Sequence, residues 1–120
     1  MSSDNLPKIE HFEMTQGDDK AFAITRTDSD GTPIDITGYT YWVTIKSDEY
    51  APDSDAEIQK EVTTHTDAAA GETEIQLDAP ETKPLAGPHY YDLQEKDASG
   101  SITTWMKGII RFANETTEAT

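Results

Sequence analysis

Cysteine is absent from this 120-residue chain, which removes disulfides, thiolate nucleophiles and Cys-type zinc sites from consideration. Long apolar runs are missing as well. Nowhere do about 18 apolar residues follow one another, so no membrane-spanning helix is expected. Basic residues are scarce: 9 Lys and Arg stand against 24 Asp and Glu, a formal charge of −15. Phosphate backbones and anionic lipid are bound by cations that neutralise phosphate, so neither nucleic acid nor membrane is an expected partner. The start MSSDNLPKIE lacks the basic head and apolar run of a secretory signal, and a soluble chain with no export signal of its own is expected.

What is present fits one domain of ordinary size, able to remove roughly two-thirds of its unfolded surface from water. The acidic excess suits a protein working at high salt, where the Debye length shrinks to about 3 Å at 1 M. It suits equally an ordinary acidic protein with a solvated surface, because charge speaks to solubility rather than to fold.

Alternation of apolar and polar residues is the dominant pattern. KIEHFEM (8–14), KAFAITRT (20–27), YTYWVTIKS (39–47), EIQKEVTTH (57–65), TEIQLD (73–78), HYYDLQEKD (89–97) and ITTWMKGIIRF (102–112) read as strands, the fourth as an edge strand and the last as interrupted by Gly108. The clearest is 39–47, with Tyr39, Tyr41, Val43 and Ile45 on one face and Thr40, Trp42, Thr44 and Lys46 on the other. Between the strands lie turn signals: DSDG (28–31), GTPIDITG (31–38), the acidic loop DEYAPDSDA (48–56) and ASGS (98–101). PETKPL, within a stretch of three prolines, allows one helical turn and no sustained helix. About seven short strands at roughly ten-residue spacing predict an all-β domain over 8–112, a β-sandwich or a small barrel, with polar arms at 1–7 and 113–120.

Chemistry-bearing motifs are few. His11, His65 and His89 fall on separate predicted strands without the short spacing of a local metal site, and no G-x-S-x-G elbow is present. Asp28-Ser29-Asp30-Gly31 begins like a calcium loop but lacks its later ligands, and reads as a hairpin turn. No catalytic residue, metal site or cofactor is expected, and the chain reads as a non-enzyme. The aromatics are the remaining candidates: Tyr41, Trp42 and Trp105 are the expected interface residues, for a protein partner or a sugar platform.

Residues 16–46, QGDDKAFAITRTDSDGTPIDITGYTYWVTIK, followed by 85–112, LAGPHYYDLQEKDASGSITTWMKGIIRF, resemble the N-terminal Ig-like domain of phage baseplate upper proteins and related tail proteins. The resemblance rests on Gln16-Gly17-Asp18, on Gly31, Pro33, Asp35, Thr37 and Gly38, on Ile45-Lys46, on Gly87 with Tyr91 to Gln94, and on Gly100, Thr104 and Gly108. It implies an Ig-like antiparallel β-sandwich of about seven strands, with scaffold residues and no active site. It further implies a structural protein of a tailed virus particle, partnered by other virion proteins and by copies of itself, assembled in the host cytoplasm. A tail or baseplate subunit, an adaptor and a capsid decoration protein are all compatible with it. With the acidic surface, it points to a virus of a halophilic host, an archaeon among the candidates.

Overall fold

A computed structural model describes residues 8–114 as two β-layers with very little helix. The strands are β1 (Lys8–Ile9), β2 (Phe12–Thr15), β3 (Lys20–Thr25), β4 (Thr40–Lys46), β5 (Ile58–Val62), β6 (Glu72–Leu77), β7 (Gly87–Lys96) and β8 (Ile102–Ala113). The larger sheet has the order β1-β8-β7-β4-β5, with β2 also on β8; the smaller contains only β3 and β6. Of the two all-β architectures that the alternation allows, the chain forms the sandwich.

Three details depart from that expectation. The first predicted strand is two strands, because Glu10 and His11 interrupt it. β1 and β2 both run parallel to β8, so the larger sheet is not wholly antiparallel. Ala113 belongs to β8, paired with Thr15, and not to a C-terminal arm. The arms at 1–7 and 115–120 lie outside the described residues.

The break at Glu10 is built around Gly108, which the sequence marks as an interruption of the last strand. β8 in fact runs through it, with Gly108 opposite Tyr91. The glycine is needed because the Glu10 carbonyl lies where a Cβ would go. The Glu10 N–H donates to the Lys107 carbonyl at 3.0 Å, the Tyr91 hydroxyl donates to the Glu10 carbonyl at 2.6 Å, and the Ile109 N–H donates to His11 Nδ1 at 3.0 Å. A side-chain nitrogen thus replaces a missing backbone acceptor, and the edge is sealed before β2 resumes the pairing.

The core lies between the layers. β6 alternates cleanly, with Thr73, Ile75 and Leu77 inward; β4 contributes Tyr41, Val43 and Ile45, and β7 contributes His89, Tyr91, Leu93 and Glu95. Each fully buried Ile or Leu contributes on the order of 1.5–3 kcal/mol by leaving water. GTPIDITG carries the chain from the smaller sheet to the larger. Ile36 drops into the core with no exposed surface, while Asp35 Oδ1 accepts from the Thr37 N–H and hydroxyl at 3.0 and 2.6 Å and fixes the turn. The one α-helical turn among the described residues, Ala79–Thr82, begins in a capping box between Asp78 and Glu81.

Candidate functional site

Of the three interface candidates, the structure leaves only Trp42 on the outer face of the larger sheet. Tyr41 is a correction: it has no exposed surface, and its hydroxyl donates to Glu95 Oε2 at 2.7 Å. Its inward neighbours on β4 place it there, since alternate residues share a face. Trp105 is corrected by a bulge. The register passes from Leu93↔Met106 to Gln94↔Thr104, so Trp105 is the extra residue on β8, and it turns inward to pack against the core.

Trp105 there completes a polar cluster between the layers. Arg26, just past β3, donates to Glu95 through Nε at 2.7 Å and an Nη at 3.1 Å, while its guanidinium lies 5.0 Å from the Trp105 ring centroid. The Glu95 bond holds the Arg26 pKa above its ordinary value. Burial and the Glu95 carboxylate push the Tyr41 phenol far above its ordinary range, so it stays a donor. Gly71 seats Arg26. Its φ of 75° is left-handed, its carbonyl accepts from the Arg26 N–H at 2.8 Å, and a Cβ would lie 2.5 Å from the Arg26 carbonyl. This cluster ties the two sheets together, and among the described residues the buried Trp105 Nε1 has no hydrogen-bond partner.

The histidines are separately employed. His65 bridges Thr73 Oγ1 and the Tyr39 carbonyl at 2.9 Å each. His89 is buried edge-on against Phe112, with Nδ1 3.3 Å from the Gly87 carbonyl. Among the described residues no three His, Asp or Glu side chains are grouped to hold a metal ion.

Two concave features remain. The first is a basin of about 540 Å³ on the outer face of the larger sheet. Its floor follows the register, with Thr44 beside Asp92 and Asp92 beside Lys107, then Lys46 beside Tyr90 and Tyr90 beside Ile109. One wall is the 48–56 loop, which Lys46 fastens by donating to the Ala51 carbonyl at 2.6 Å and pairing with Asp53 at 2.9 Å. That pairing also lowers the Asp53 pKa. Across the basin, Lys107 approaches Glu49 at 3.8 Å. Asp92 sits in the floor with no hydrogen-bond partner among the described residues, and burial raises its pKa against the pull of Lys46 and Lys107.

The second feature is an apolar cavity of about 220 Å³ between the layers, running beneath β3 from Lys20 to Ile24. Phe12, Met106 and Ile110 form its far side. It exists because the smaller sheet has two strands where the larger has six: β3 pairs with β6 on one edge and with nothing among the described residues on the other.

Sequence reading singled out neither Asp92 nor the β3 edge as a site. Asp92 was legible as an outward residue of YYDLQ, but its lack of a partner depends on which residues stand beside it on β4 and β8. The free edge depends on a pairing that alternation does not encode. No family model matches the chain, and no curated protein matches it.

Proposed function

We propose that this chain is a non-enzymatic assembly module, and that it works by accepting an extended segment of a neighbouring subunit along the free edge of β3. The observation carrying this reading is the coincidence of a strand edge that is unpaired among the described residues with an apolar cavity directly beneath it. Backbone N–H and C=O groups of an open edge bind an added strand through main-chain hydrogen bonds, and a pocket at alternate positions supplies selectivity. The resemblance to baseplate upper proteins adds the setting. The neighbour is another structural protein of a tailed virus particle, or a further copy of this chain, and the high acidity suits a saline host. A capsid decoration protein would use the same edge.

Two measurements test the reading. Mass spectrometry of purified tailed particles from the source is expected to find this chain, and the alternate N–H groups of residues 20–25 that point away from β6 are expected to exchange fast in the isolated protein and slowly in the particle. Particles without the chain, or an unchanged exchange profile along β3, would overturn it.

A further inference from the structure

The outer-face basin lies on the opposite side of the larger sheet from the cavity, and its chemistry differs from that of a strand-docking edge. We propose that it is a binding site for a neutral oligosaccharide, recognised by Asp92 as hydrogen-bond acceptor and Tyr90 as stacking ring. The proposal is independent of the assembly reading and adds an adhesive face to it.

Three observations select this ligand class. The carboxylate of Asp92 is half-buried at the basin floor and accepts no hydrogen bond among the described residues, so its solvent-reached oxygens can take hydrogen bonds from a ligand without breaking any within the described chain. Lys46 and Lys107 flank it, and each already faces another acidic group. A cationic ligand meets those two lysines, and an anionic one meets Asp92 in a chain of charge −15. Hydroxyl groups, neutral donors, meet neither repulsion.

The apolar part of the basin points the same way. Tyr90 is 38% exposed, with Ile109 directly opposite it on β8 at 36% and Ile9 on β1 at 58%. Tyr50, 89% exposed, stands on the loop that forms the wall. Sugar rings present C–H faces to aromatic rings and hydroxyls at their edges, which is the division between Tyr90 and Asp92 here. The volume of about 540 Å³ falls in the usual small-molecule range of roughly 300–1,000 Å³. Because Lys46 fastens the loop, the basin is formed before any ligand arrives, and little ordering opposes binding. Trp42 lies on the same face two residues from Thr44 and extends the platform beyond the basin.

The test is a titration of the whole 15N-labelled chain with maltohexaose, cellohexaose, chitohexaose and mannohexaose, with hexalysine and inorganic phosphate as charged probes. The expected result is saturable binding of at least one oligosaccharide, with amide shifts confined to the residues that line the basin, Thr44, Tyr50, Tyr90 to Asp92, Lys107 and Ile109 foremost. Tyr90→Ala and Asp92→Ala are each expected to weaken it about tenfold or more, while Glu74→Ala on the other layer leaves it unchanged. If either basin variant loses its dispersed spectrum, Tyr50→Ala on the exposed loop is to weaken binding about threefold or more. No saturation by any oligosaccharide at millimolar concentration, shifts elsewhere, affinity indifferent to the folded variants, or hexalysine as the ligand that binds there would each overturn the proposal. None of those outcomes touches the β3 edge, so the two readings fail separately.

Discussion

Glu95 and Asp92 lie three residues apart on β7 and face opposite sides of the same sheet. Glu95, inward and 7% exposed, is saturated: two bonds from Arg26 and one from Tyr41. Asp92, outward and half-buried, accepts none among the described residues. The difference separates two uses of a desolvated carboxylate. One fastens two layers that would otherwise meet only through apolar contact. The other is held in a preformed basin where nothing in the described chain satisfies it, and that is where a ligand would gain most.

Breaking the inner member is expected to have the largest effect. Glu95→Gln leaves Arg26 without its counter-charge between the layers, and a loss of about 3 kcal/mol is expected in urea unfolding, the lower end for a broken buried pair because Arg26 keeps 23% side-chain exposure. Replacing both, Arg26→Met with Glu95→Leu, is expected to recover most of that loss, since an apolar pair removes the uncompensated charge. Failure of the double variant to recover would mean that the cluster contributes net stability and not merely register. Next in size is Gly108→Ala, expected to cost about 1–3 kcal/mol because the new methyl meets a backbone oxygen. Amide exchange should place the damage in β1 and at Glu10 while β4 and β5 stay protected. Tyr41→Phe follows at about 1.5 kcal/mol, one charge-assisted bond lost while Arg26 still holds Glu95.

Much of this architecture was legible in the residues. Period-two alternation in YTYWVTIK and TEIQL placed the right side chains inward, because burial of one face is what such a strand requires. Gly108 reads as an interruption of the last strand, yet β8 runs through it, and the need for glycine comes from the carbonyl of Glu10, nearly 100 residues away in sequence. Tyr41 and Trp105 show where local reading stops. Tyr41 shares a face with Val43 and Ile45 and belonged to the core on that pattern alone. Trp105 reverses its face through a bulge set by the opposing strand, and no spacing within β8 announces it. For the sites the limit is similar. YYDLQ shows an outward Asp, but its flanking lysines come from β4 and β8, and the free edge of β3 follows from the whole sheet order.

The smallest expected effect sharpens the comparison most, because its sign is opposite. Burial raises the Asp92 pKa in the folded chain above the unfolded value of about 3.9, against the partial compensation of Lys46 and Lys107. The folded state therefore binds the proton more readily than the unfolded state between those two values. Stability falls as pH rises through that window, and the penalty is complete above the folded pKa. Asp92→Asn removes the charge that burial disfavours. At pH 7 the variant should match or exceed the parent, by less than about 1 kcal/mol since solvent reaches the basin, and the gap should close below about pH 4. Urea midpoints at both pH values measure it. A loss at pH 7 like that of Glu95→Gln would show Asp92 to be a structural carboxylate and end its contrast with Glu95. A neutral or favourable change would mean that the fold carries Asp92 at a cost, with its use lying outside the chain.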